Sequence, residues 1–220
     1  MRKKYIIIGA GVFAQRLRIY IEQNKDNNVI AFSIESPYIR QRKIDGIDVL
    51  PLESMTYHDG YNYILGIGYR GMGKVRRELY EKCKAQGFVF SNYIHPSAII
   101  SDDCVVGEGN IFLESVIIGP AVSIGSANLF FDGCTIGHDS IVNSFNTFCS
   151  RSMLSSNNVA IDNCFIGDCS YIAPYIKVES YALVGSNTVV EKDVKSGNIF
   201  LRNGRIIEGK SELFFDKFIK

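Results

Sequence analysis

From Ile94 to Val190 every sixth residue of the chain is apolar, seventeen positions without a slip. The next residue is Gly in six of them: Gly107, Gly119, Gly125, Gly137, Gly167 and Gly185. Two residues before each aliphatic a small or apolar side chain recurs, as at Cys104, Val116, Cys134, Ser140, Cys164 and Ala182. Residues two apart on a strand point the same way, so each hexad sends its aliphatic and the preceding small residue inward. The chain must then turn a corner, where Gly is expected because it tolerates φ > 0. Three such short strands per coil close a triangular prism, and residues 94–195 supply between five and six coils.

Before the repeat the pattern changes. "KYIIIG" (4–9) reads as a buried parallel strand, and "GAGVFAQRLRIYIEQN" as a Gly turn feeding a helix. "NVIAFSI", "GIDVL" and "NYILGIG" read as three further strands, and "GMGKVRRELYEKCKAQG" as an amphipathic helix. Strands alternating with helices predict a small parallel α/β, Rossmann-like domain over residues 1–93, followed by the coil domain at 94–195. In the tail (196–220), "IFLRNGRIIE" predicts a hairpin around Asn203-Gly204. "SELFFDKFIK" predicts a helix with Ser211 as N-cap and apolar Leu213, Phe214 and Phe218, placed to cover the open end of the prism.

Composition adds boundaries. Apolar residues make up 46% and charged residues 21%, ordinary for a globular domain. No apolar run reaches membrane-spanning length, and "MRKKYIIIGAGVF" breaks at once into a Gly turn. It is therefore read as a first strand and not a signal peptide, so the expected location is the cytoplasm. Six cysteines without C-x-x-C or zinc spacing are expected to be free thiols filling apolar slots. The net charge of +1 gives no sign of nucleic-acid binding, but it hides an asymmetry. Residues 1–96 carry 15 Lys+Arg against 9 Asp+Glu, whereas 97–195 carry 4 against 11.

The basic N-terminal part contains Gly9, Gly11 and Ala14, matching G-x-G-x-x-G/A between a strand and a helix. Such a turn can face backbone N–H groups toward a phosphate. Gly66 and Gly68 end another strand, and the two turns should share one crevice beyond the carboxyl ends of the sheet. Glu35 ends the second strand, where a nicotinamide dehydrogenase places its ribose acid. That reading leaves the whole prism unexplained.

A Gly-rich α/β domain followed by "NYIHPSAII" and a hexapeptide prism resembles the nucleotide-sugar acyltransferases. This family includes the sialic acid O-acetyltransferases and the bacillosamine-type amino-sugar N-acetyltransferases. The resemblance spans nearly the whole chain and implies a left-handed β-helix, homotrimers with sites between subunits, and a nucleotide-sugar-binding N-terminal domain. It also implies acetyl-CoA as acyl donor, direct transfer to an amino or hydroxyl group, and a role in bacterial surface-glycan biosynthesis. The family's histidine followed by an acid corresponds to His138-Asp139. A neutral imidazole suits removal of the proton that an attacking amine or hydroxyl must lose. Ser156 stands where a Gly amide faces the thioester, and Lys192, Lys195, Arg202 and Arg205 are candidates for the CoA phosphates.

The surroundings depart from the family. Phe131 replaces an Asn seven residues before the base, and Thr147 replaces a second His nine residues after it. Arg151 stands where a smaller or different residue is common. The alternative is a non-catalytic nucleotide-sugar-binding or scaffolding homologue. His95 is read as a junction residue and His58 as a loop residue. Carbonic anhydrases of the gamma class share the prism but need three histidine zinc ligands. Only His138 lies well inside the coils, so no metal is expected.

Overall fold

The computed structural model describes residues 2–218, with the side chain of Phe218 outside the described part. Six elements of the N-terminal layer follow the predicted order: β1 (Lys3–Ile8), α1 (Val12–Gln23), β2 (Asn27–Ile34), β4 (Ile47–Pro51), β5 (Asn62–Leu65) and α2 (Lys74–Ala85). The hydrophobic pattern had not indicated β3 (Lys43–Ile44), which pairs antiparallel with β4 through the left-handed pair Asp45-Gly46. The sheet order is β3-β4-β2-β1-β5, parallel except at that edge. Alternation along β1 sends Ile7 to the α1 side with Ala14, Leu17 and Ile21. Ile6 and Ile8 go to the other side, with Leu79 and Cys83 of α2.

From Tyr93 onward, two-residue strands stack into three flat sheets, with partners 18 residues apart, as in Ile117↔Thr135 and Ile118↔Ile136. This is a three-sided parallel β-helix. Its first face runs from Ile99–Ile100 to Val189–Val190 and its second from Val105–Val106 to Lys177–Val178. The third face runs from Tyr93–Ile94 to the hairpin strand Ile206–Ile207. The core stacks like on like: the rings of Phe112, Phe130 and Phe148 lie parallel at 4.7 and 5.3 Å. Beside them the side chains of Asn110, Asn128 and Asn146 each accept the backbone N–H 18 residues on. The ladder satisfies backbone donors inside the prism that would otherwise be unpaired.

Four expectations need correction. The glycines after the aliphatics do not have positive φ. From Val106 to Val184 the left-handed residue is instead the third after each aliphatic, among them Ala121, Gly133, Asp139, Phe145 and Arg151. Its N–H bonds to the coil below, as Asp139 does to the carbonyl of Pro120 at 3.0 Å. Gly is required at the earlier position by space: a Cβ on Gly137 would lie 2.6 Å from the backbone of Ser155 and Ser156. Second, the first inward aliphatic, Ile94, is not core, and Ile100 and Val106 are only partly buried against it. Ile94 is 49% exposed, because the prism is open at that end.

Third, the terminal helix α3 (Ser211–Phe218) does not cover an end. It packs Phe215 on the third face against Phe165, Leu183 and Ile199. Fourth, the Ser211 hydroxyl donates to the carbonyl of Tyr181 at 2.6 Å instead of capping the helix. The hairpin forms as expected, with Ile199–Phe200 antiparallel to Ile206–Ile207 and Gly204 in the left-handed region.

The α/β layer covers the rest of the third face, burying Ile111, Leu113 and Leu129 against the α1 side of the sheet. Arg76 of α2 fastens this contact. Its guanidinium is fully buried and donates to the carbonyls of Gly68, Ala127, Phe145 and Asn146 at 2.7–3.0 Å, and to Thr147 Oγ1 at 3.3 Å. Burial lowers its pKa to about 9, so it remains charged at neutral pH without a carboxylate partner among the described residues. Among the described residues nothing covers the first and second faces. Ile99, Ile117, Met153, Tyr171 and Val189 stand exposed on one, and Val105 and Ile141 on the other.

Candidate active site

His138 occupies the edge between the first and second faces, between the strands Thr135–Ile136 and Ile141–Val142. The left-handed φ of 58° at Asp139 folds its carboxylate back onto the preceding ring, and Nδ1 of His138 lies 2.6 Å from Oδ2 of Asp139. An ionised carboxylate only accepts hydrogen bonds, so Nδ1 carries the proton and the lone pair sits on Nε2. Both side chains are more than half exposed. The edge continues at 18-residue intervals through Pro120, His138, Ser156, Pro174 and Lys192. Pro occupies two of these positions, so the coil ladder needs no backbone donor there. Among the described residues the Ser156 N–H accordingly has no acceptor, whereas its neighbours Ser155 and Asn157 bond to Ile172 and His138.

The glycine turns meet where β1 and β5 end. A Cβ on Gly9 would lie 2.7 Å from the Gly66 carbonyl, and one on Gly66 would lie 2.3 Å from Ile7 and 3.0 Å from Ala14. Close packing therefore accounts for Gly9, Ala14 and Gly66. Gly11 faces open space at the start of α1, and Gly68 lies against Phe13. The two turns pack against each other at the carboxyl ends of β1 and β5.

Other candidates are placed differently. Glu35 is held by Lys82 of α2, and Lys195 pairs with Glu179 at 3.2 Å; Lys192 is exposed. Phe131 does not flank His138 within the chain. It follows the third face, one prism side away, with its ring 5.9 Å from Phe13 and 6.1 Å from Tyr69. Thr147 is buried beneath Arg76, and Arg151 is an exposed left-handed corner residue. His95 bridges α1 and the first coil, with Nδ1 2.8 Å from Ser97 Oγ and Nε2 3.2 Å from Gln23 Oε1. His58 is exposed, its ring on Tyr61.

Cys83, Cys134, Cys149 and Cys164 are buried, and burial raises every one of these thiols, Cys83 to about 11. They are protonated fillers at neutral pH. Arg76 and Tyr69 escaped the sequence reading. An Arg on the apolar stripe of α2, in step with Leu79 and Cys83, was the signal for the first. Among the described residues no group of three or more His, Cys, Asp or Glu can hold a metal, and no helix is long and apolar enough to cross a membrane.

No family model matches the chain. Among solved structures it is similar to the acetyltransferase domain of PglB from Neisseria gonorrhoeae, with TM-score 0.80 and 19% identity over 92% of this chain and 98% of that one. It is similar to PerB from Caulobacter crescentus, solved with CoA and GDP-perosamine, with TM-score 0.78 and 21% identity over 93% and 97%. WeeI from Acinetobacter baumannii gives TM-score 0.72 and 19% identity over 94% and 100%. At these identities the likeness establishes a shared fold over nearly the full length of each chain.

Proposed function

We propose that the protein is an acyltransferase that moves an acyl group, acetyl in the simplest case, from coenzyme A directly to an amino or hydroxyl group of a nucleotide-linked sugar. The observation that carries this reading is the His138–Asp139 pair, with Nε2 and, one coil along the same edge, the Ser156 amide both without a partner among the described residues. Two of the structural neighbours, the PglB domain and PerB, were solved with acetyl-CoA or with CoA and a nucleotide sugar, which supports the same chemistry here.

In the proposed reaction the acceptor's nitrogen or oxygen forms a bond to the thioester carbonyl carbon while His138 Nε2 takes the proton it loses. Asp139 stabilises the imidazolium and keeps the ring in one tautomer. The Ser156 N–H donates to the oxyanion of the tetrahedral intermediate. Collapse breaks the carbon–sulfur bond, and CoA leaves as the thiol with the proton that His138 returns. Lys192 lies three coils beyond His138 on the same edge, roughly 14 Å at ~4.8 Å per coil. That spacing suits a phosphate contact at the far end of an extended pantetheine arm. The Gly9–Ala14 and Gly66–Gly68 turns are assigned to the nucleotide sugar's phosphates.

The glycine turns, in the layer on the third face, and His138, at the edge of the first and second, lie on different sides of one chain, so the proposed site needs another copy to complete it. The exposed apolar rows on the first and second faces suit a homotrimer packed through its β-helices, the edge of one protomer meeting the α/β layer of the next. The test mixes the protein with acetyl-CoA and a panel of UDP-, GDP- and dTDP-linked amino sugars. Released CoA is followed together with the mass of the nucleotide sugar. A gain of one acyl group per CoA supports the reading. Free-thiol release without acylated product from any panel member, or no release at all, refutes it.

A further inference from the structure

Beside the glycine turns is an open pocket of about 310 Å³ lined by Tyr69, Phe131, Cys149, Ser150 and Phe165, with Asp168 and Ser186 exposed at its mouth. Its aromatic wall is continuous with the glycine turns: Phe131 touches Phe13 of the first turn, and Tyr69, which follows Gly68, lies 6.1 Å from Phe131 and 5.7 Å from Phe165. Its polar side is one carboxylate and two hydroxyls. Among the described residues no Lys, Arg or His is in the lining, and Asp168 takes part in no ion pair. A phosphate is therefore repelled from this space, whereas an uncharged or cationic polyol is accepted.

We propose that this cavity holds the sugar ring of the acceptor and that Asp168 determines which sugar is taken. This rests on the function proposed above. The aromatic wall suits the C–H face of a pyranose, and the carboxylate suits its hydroxyl or ammonium donors. One oxygen of Asp168 is structural: Oδ1 accepts the Ser150 backbone N–H at 3.1 Å. Oδ2 receives only a long contact of 3.4 Å from the Ser186 hydroxyl. An ionised carboxylate offers about four acceptor positions, so roughly two remain for a ligand. The Ser150 hydroxyl is spent on Asp132 at 2.7 Å, which turns its lone pairs, not its proton, toward the space. The carboxylate and the Ser150 hydroxyl thus accept hydrogen bonds, and a ligand group facing them must donate. The buried Cys149 thiol is protonated and takes no covalent part.

Asp168→Asn separates the two oxygens, since the amide oxygen keeps the Ser150 bond while the other atom becomes a donor without charge. The experiment titrates UDP, GDP and dTDP, and their amino-sugar conjugates, into the wild-type protein and D168N by calorimetry, with the KM for acetyl-CoA measured alongside. Expected is a loss of at least tenfold in affinity for the conjugate that the wild type binds best. The free nucleotide, the KM for acetyl-CoA and the melting temperature stay unchanged. Equal weakening of conjugate and free nucleotide, a changed KM for acetyl-CoA instead, or no change at all would overturn the assignment while leaving the acyltransferase reading intact. A wild-type protein that binds none of the conjugates would overturn both.

Discussion

Replacing Arg76 with Met tests whether one buried cation holds the α/β layer on the β-helix. Met fills similar length and removes the charge. The carbonyls of Gly68, Ala127 and Phe145 then lose their only partner among the described residues, while that of Asn146 keeps the Leu129 N–H. Each orphaned acceptor costs about 1–3 kcal/mol, so the three together cost roughly 3–9 kcal/mol. Relief of the ion's burial returns several kcal/mol. The net expectation is a destabilisation of about 2–4 kcal/mol. For a chain of 220 residues that lowers the melting temperature by roughly 4–16 °C. Arg76→Lys should also destabilise, because one ammonium cannot reach Gly68 on one side and Phe145 on the other. Thermal melts followed by circular dichroism give the answer. An Arg76→Met protein as stable as the wild type would show that the guanidinium's bonds only repay its burial.

Further outcomes follow from the same geometry. Gly137→Ala should cost about 1–3 kcal/mol from the backbone clash at Ser155 and Ser156. Gly133→Asn, at φ 67° with a Cβ only touching Arg151 at 3.4 Å, should change stability by less than about 1 kcal/mol; the reverse order in denaturant midpoints would restore the φ explanation for the repeat glycines. Of the six thiols, the exposed Cys169 should react with a disulfide reagent in the native state, and the buried Cys83, Cys134, Cys149 and Cys164 should stay silent until unfolding. Met153→Asp on the first face should convert the proposed trimer into monomers by light scattering, and an unchanged mass would exclude that face from the assembly.

The β-helix was legible in the sequence because its interior repeats: Phe112, Phe130 and Phe148 occupy one slot in successive coils, and each must be apolar. The reason for its glycines was not legible. Gly137 and Gly133 look alike as letters, but one is set by crowding between coils and the other by φ. The left-handed positions are held by Ser115, Ala121, Phe145, Arg151 and Tyr175 among others, which share no residue type, so no pattern marks them. Amphipathicity showed that α3 buries a face but not against what, and the flank of the prism took it. The His138-Asp139 pair was visible as two letters. That the carboxylate reaches Nδ1 depends on the turn at Asp139. Arg76 and Asp168 passed unnoticed because a buried cation and a cavity carboxylate acquire their meaning from residues 51–70 or 18–99 positions away.

The most direct measurement is the turnover of His138→Ala, read as CoA release with the amino-sugar nucleotide that the wild type acylates fastest. A general base contributes about 10²–10⁴-fold, so kcat should fall by that factor. The ring is more than half exposed and among the described residues its only side-chain bond is to Asp139, so the melting temperature should hold. Full turnover by the His138→Ala protein would contradict the proposed chemistry at its centre.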